Sequence, residues 1–93
     1  MAELPADYRP RLAAKARLRW DNVEKKHMLV FPEAALILND SAAAILKLCD
    51  GERGVEQIVD ALVEQFTGAE RGVIANEVTA LLIRLRTRGL LEA

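Results

Sequence analysis

Hydrophobic and polar residues exchange places at nearly every step in the first third of the chain. Ala16-Arg17-Leu18-Arg19-Trp20 alternates apolar with basic side chains, the period of a strand with one buried face. Asp21-Asn22 follows, and such short polar side chains bond back to nearby amides in turns. Lys25-Lys26 leads into the apolar run His27-Met28-Leu29-Val30-Phe31, Pro32-Glu33 interrupts it, and Ala34-Ala35-Leu36-Ile37-Leu38 makes a third short run. Connections this short predict antiparallel neighbours.

Beyond residue 39 the period lengthens to that of a helix. Asn39 or Asp40 can accept bonds from the orphan amides of a first turn, and Ala42, Ile45, Leu46 and Cys49 mark one apolar face. Asp50-Gly51 ends this helix, with Gly51 suited to a left-handed cap. Val55, Ile58, Val59, Leu62, Val63 and Phe66 give the cleanest helical stripe, stopped at Thr67-Gly68. A third helix runs from about Glu70 to Arg88 with Ile74, Val78, Leu81, Leu82 and Leu85 inward; Gly89 stops it and Leu90-Leu91 folds back onto the core. The predicted fold is α+β: a small winged-helix-like domain, a three-stranded antiparallel sheet at the N-terminus followed by three helices. Pro5 and Pro10 keep residues 1–12 out of regular helix. The expected division is therefore an extended N-terminal arm, 1–12, and a single domain, 13–93.

Ninety-three residues leave no room for a second core. The single Cys49 excludes an internal disulfide, and with His27 as the one imidazole a zinc cage lacks ligands. No metal or other cofactor is expected. One Cys, one His, one Ser and one Tyr are a thin catalytic inventory; Ser41 has no triad partner at a suggestive spacing. A binding or structural module, not an enzyme, is the default. Cys49 and His27 read as structural, and Trp20 as a cap on the sheet core. No apolar run is long enough to span a bilayer, and no secretory h-region is visible. A cytoplasmic location without membrane attachment is the expectation.

The net charge of −1 conceals basic ends around an acidic middle: +3 over residues 1–20, −6 over 21–83 and +2 over the tail. This layout suits a solvated surface or a groove for an acidic peptide, and argues against nucleic acid as the main partner.

Several stretches together resemble the PqqD family, coenzyme PQQ synthesis protein D. They are Arg9-Pro10-Arg11-Leu12 with Arg17-Leu18-Arg19-Trp20-Asp21; Pro32-Glu33 before Leu36-Ile37-Leu38-Asn39; Ile45-Leu46-Lys47-Leu48-Cys49-Asp50-Gly51 before Ile58-Val59-Asp60-Ala61-Leu62; and Leu81-Leu82 with the ending Arg88-Gly89-Leu90-Leu91-Glu92. The resemblance covers residues 8 to 92 in order. It implies a non-catalytic peptide chaperone of pyrroloquinoline quinone synthesis. Such a chaperone binds the precursor peptide PqqA and presents it to the radical SAM enzyme PqqE, which joins a glutamate to a tyrosine in that peptide. In domains of this kind the peptide adds as a strand to the sheet edge and lies against the last helix.

Carried onto this chain, the resemblance implies a peptide-binding site of Ala34, Ala35, Leu36, Ile37 and Leu38 with Glu77, Leu81, Arg84 and Arg88. The third run has no charged or proline gatekeeper within it, as expected of a docking edge; a buried central strand reads the same way. Glu77, Leu81, Arg84 and Arg88 recur at helical spacing, so the arginines can meet peptide carboxylates or simply suit the helix C-terminus. Two other readings share this fold content. One is a winged-helix DNA-binding domain, disfavoured by Glu56, Asp60, Glu64 and Glu77 on the later helices. The other is a dimerisation domain, a homodimer formed through the arm and the free sheet edge.

Overall fold

Two hairpins open the chain in the computed structural model, which describes residues 4–5 and 7–92. Strand β1 (Arg17–Asp21) pairs antiparallel with β2 (Lys26–Phe31), which pairs with β3 (Ala34–Leu38). At the first turn the Asp21 carboxylate accepts from the Val23 and Glu24 amides at 2.9 and 3.1 Å. At the second, Pro32 presets the first corner and Glu33 takes the left-handed φ of 71°. The sheet order is β1-β2-β3, so β3 is an edge and the central-strand reading of its sequence is excluded.

Register divides the sheet into two faces. Leu18, Leu29, Phe31, Leu36 and Leu38 share the inner face, where Leu29 and Leu38 are buried. Helix α1 (Asp40–Lys47) packs beneath that face, one residue after β3. Asn39 makes the tight turn: its side chain accepts from the Ala42 amide at 2.8 Å and so satisfies one orphan donor of the helix. Ala43 and Ala44 are buried in α1, and their small side chains let the helix lie close to the sheet.

Asp50 and Gly51 turn the chain away. The Asp50 carboxylate accepts from the Glu52 and Arg53 amides at 2.9 and 3.1 Å and pairs with the Arg53 guanidinium at 2.7 Å. Those amides, first of all, hold its carboxyl below the usual range. Gly51 has φ +82°, and a Cβ there would lie 3.0 Å from the Arg11 side chain. Helices α2 (Val55–Gln65) and α3 (Arg71–Thr87) then pack as a pair. Ile58 and Leu62 of α2 and Val78, Leu82 and Leu85 of α3 are buried where these helices pack on each other and on α1. Phe66 closes α2 just ahead of Thr67-Gly68.

Part of the arm is tied into the body; residues 1–3 and 6 lie outside the described residues. Arg11 bridges Asp50, Leu12 bridges Leu91, and the Glu92 amide donates to the Arg11 carbonyl at 2.8 Å. The Tyr8 hydroxyl donates to the Glu92 carbonyl at 3.1 Å, and the Arg86 guanidinium lies 5.0 Å over the Tyr8 ring. Burial is the main influence raising the Tyr8 pKa. In this form residues 8–12 are engaged by their own chain, which removes one motive for strand exchange between copies.

Trp20 departs from expectation. It shares the inner-face parity but is 50% exposed, on an outer strand beside the turn of the first hairpin, one pair from the closing Asp21–Lys26 pair. It packs edge-on against His27 of β2, ring centroids 4.8 Å apart, and caps no core. Among the described residues no helix is long and apolar enough to cross a membrane, and no group of His, Cys, Asp and Glu is placed to hold a metal ion.

Candidate functional site

A sheet with two edges offers two docking lines, and they differ in chemistry. The β1 edge carries Arg17 and Arg19, charged residues of the kind that discourage strand addition. The β3 edge carries none. Ala34, Ala35 and Ile37 are exposed there, Leu36 is half-buried, and Leu38 turns into the core at 6% exposure.

The second turn fixes which β3 groups are free. A two-residue hairpin closes on a bonded pair, here Phe31 and Ala34. Alternation then places the Leu29–Leu36 and His27–Leu38 pairs in bonded positions and leaves Ala35 and Ile37 in non-bonded ones. The N–H and C=O of Ala35 and Ile37 therefore point away from β2, along the open edge.

Beside the C-terminal end of β3 lies a hollow of about 280 Å³ between α1 and α3. Ala42 and Ile45 of α1 and Ala80 and Leu81 of α3 make its apolar floor; Asn39, Ser41, Glu77 and Arg84 make the polar rim. The hollow exists because α1 alone packs on the sheet while α3 packs on α2 and on α1. A gap then separates β3 from α3, floored by the small residues Ala42 and Ala80. Glu77 and Arg84 stand two helical turns apart with opposite charge, and neither is in an ion pair among the described residues.

The structure thus brings Glu77, Leu81 and Arg84 to one hollow next to the β3 edge. Leu38 contributes packing there, not edge surface. Arg88 caps α3 one turn past Arg84 and does not line the hollow. The α1 half of the lining, Ser41, Ala42 and Ile45, escapes the sequence reading. Those residues read as helix start and core, and only the one-residue link from β3 to α1 hints that the first turn flanks the edge.

Two other features lie apart. A larger hollow of about 600 Å³, lined by Leu4, Pro5, Arg9, Val55 and Ile83 among others, separates the arm from α2 and α3; it has no open strand beside it. Cys49 is buried just past the C-cap of α1, its thiol donating to the Ile45 carbonyl at 3.3 Å. Burial, followed by the Asp50 charge, pushes the thiol pKa up to about 12, so it is a poor nucleophile at neutral pH.

The family model described as Coenzyme PQQ synthesis protein D matches residues 26–91. The chain belongs to the PqqD family. Its relatives agree: it is 40% identical over 83 residues to a protein named PqqA binding protein from Rhodopseudomonas palustris BisB5, covering 89% of this chain and 80% of the other. A PqqA binding protein from Azotobacter vinelandii is 38% identical over 92 residues, 99% of this chain and 98% of that one. Among solved structures, the PqqD truncation of Methylobacterium extorquens PqqCD superimposes with a TM-score of 0.76 at 38% identity, over 90% of this chain and 88% of that one. It is described as a stand-alone recognition element for ribosomally synthesised, post-translationally modified peptides. A lasso peptide synthetase B1, solved with a leader peptide, shares the fold with a TM-score of 0.74 at 18% identity, over 91% of this chain and 99% of that one. The fold expected from the sequence, a three-stranded antiparallel sheet followed by three helices, is the one this PqqD protein has.

Proposed function

We propose that this PqqD-family chain is a peptide chaperone of pyrroloquinoline quinone synthesis. It binds the precursor peptide PqqA as a strand added to β3 and presents it to the radical SAM enzyme PqqE. The observation that carries the reading is an ungated edge strand beside an apolar, polar-rimmed hollow. An extended peptide satisfies the outward groups of Ala35 and Ile37 and sets a side chain on the floor of Ala42, Ile45, Ala80 and Leu81. Arg84 and Glu77 read charges on that peptide, and Arg88 continues the rim by one turn. Relatives named PqqA binding protein support PqqA as the ligand. On this reading the chain supplies backbone, aliphatic surface and charge, and the bond-forming chemistry belongs to the partner.

Titration of the labelled protein with synthetic PqqA tests it. Amide signals of residues 34–38 and of α3 move or broaden, and PqqE added afterwards forms a ternary complex. Saturating peptide that leaves both elements unmoved defeats the site assignment. A peptide complex that never engages PqqE defeats presentation and leaves a sequestering protein.

A further inference from the structure

The sheet has a second face, and none of the described residues covers it. Register places Arg17 and Arg19 of β1, Lys26, Met28 and Val30 of β2, and Ala35 and Ile37 of β3 on the side opposite α1. The outer face of such a sheet is usually polar when it meets only water. Here its centre is Met28, Val30 and Ile37, the last 66% exposed. A hollow of about 420 Å³ opens over this face, lined by Arg19, Asp21, Met28 and Val30 among others.

Its charges are also unanswered. Arg17, Arg19 and Lys26 take part in no ion pair among the described residues. The one acid on the face, Asp21, already accepts two amides of its own turn through Oδ1. The face is therefore an apolar centre with a basic rim in a chain whose net charge is −1. Bare Arg stems resting on a solvated strand explain basic residues next to Met28 and Val30. They do not explain Ile37, which no Arg faces across the register.

We infer that this outer face docks a partner protein whose contact surface is apolar at its centre and acidic around it. Charge complementarity selects that partner over a second copy, because two such basic faces repel. The face meets the β3 edge at Ala35 and Ile37, whose side chains lie on it while their backbones line the edge. Its occupant and a strand at the edge are then held side by side, and the hollow against α3 stays free. The inference rests on the reading that this chain delivers its peptide to a separate enzyme, and PqqE is the probe.

The test measures PqqE binding without peptide, and PqqA binding without enzyme, for the wild type, the Arg17→Glu/Arg19→Glu double variant and Met28→Asp. All three positions are outside the proposed peptide site. Both variants are expected to weaken PqqE binding by about tenfold or more while PqqA affinity stays within about twofold. The wild-type enzyme affinity falls as salt rises. Unchanged PqqE binding by variants that still bind PqqA overturns the docking face and leaves the peptide site standing. Wild type that binds PqqA but never PqqE defeats presentation and the docking face together. Loss of PqqA binding by either variant with enzyme binding intact overturns the docking face and the peptide site together, because Arg17, Arg19 and Met28 lie outside that site. Retention at physiological salt of a short DNA duplex by wild type but not by the double variant assigns the face to phosphate and also overturns the proposal.

Discussion

Proline at position 35 separates strand addition from every other way of holding a peptide. Ala35 is exposed, small and in a non-bonded register position, so its N–H points along the open edge and takes no part in the β2–β3 ladder. Proline is tolerated on an edge strand when the missing N–H faced solvent. Ala35→Pro should therefore fold, with a stability change of about 1 kcal/mol or less, which for a domain of this size is a melting shift within about 4–8 °C. The peptide suffers more. One of its carbonyls loses its donor and is buried unpaired, at about 1–3 kcal/mol, and the pyrrolidine ring also obstructs the incoming strand. The expected loss of PqqA affinity is about 5- to 150-fold. Ala35→Val is the control: it keeps the N–H, suits a strand and binds nearly as wild type does. Calorimetric titration of PqqA, with circular dichroism for the fold, reads the result. An Ala35→Pro protein that is folded and binds PqqA as tightly as wild type refutes strand addition at β3.

Three further expectations follow from single contacts. Arg84→Glu puts a second acid on the hollow's rim with Glu77; PqqA affinity is expected to fall by about 1.5- to 5-fold at low salt, the range of an exposed ion pair, with the difference shrinking in a salt titration. Asn39→Ala removes the acceptor for the Ala42 amide; thermal melts are expected to report a loss of about 0.5–2 kcal/mol. Cys49 has a thiol pKa raised from 9.0 to about 12 in the folded chain. Its contribution to stability is then complete below about pH 9 and is lost as pH rises towards 12, because only the unfolded thiol ionises in that window. Denaturant melts across that range should show the extra alkaline loss in wild type and not in Cys49→Ala, and thiol labelling at pH 8 should need unfolding.

The elements were readable because each is marked by local chemistry. Alternation at residues 16–20, the Asp21 and Pro32-Glu33 turns, the Asn39 cap and the stripe from Val55 to Phe66 all act within a few residues. What depended on distant packing was not readable. Trp20 has the parity of a core residue, but it stands half exposed on an outer strand beside the first turn. Ala34–Leu38 is an apolar run whether central or edge, and only the sheet order decides. The candidate hollow was half legible: Glu77, Leu81 and Arg84 share a helix face, whereas Ala42 and Ile45 reach it because α1 lies between the sheet and α3. The clasp of Tyr8 on Glu92 joins residues at opposite ends of the chain, beyond any local signal.

The open edge is itself a product of short connections. One residue between β3 and α1 forces the helix to turn back under the sheet at once, where it buries Leu29 and Leu38. That places α1's first turn at the end of β3, and it leaves α2 and α3 to pack on each other and on α1, away from the strands. A longer link would let a helix slide beside β3 and close the edge, as many sheets do to avoid unwanted pairing. Here the edge stays open but is short, five residues, and ends in the buried Leu38. An unpaired strand of that length offers only two residues with outward backbone groups, Ala35 and Ile37. Backbone bonds worth about 0.5–1.5 kcal/mol each cannot hold a peptide against its ordering cost. Side-chain burial in the adjoining hollow has to supply the rest. If the peptide is bound as proposed, its affinity is set less by the strand than by what sits on Ala42, Ile45, Ala80 and Leu81. Filling that floor with Ala80→Leu should then weaken PqqA binding even though every edge bond remains available.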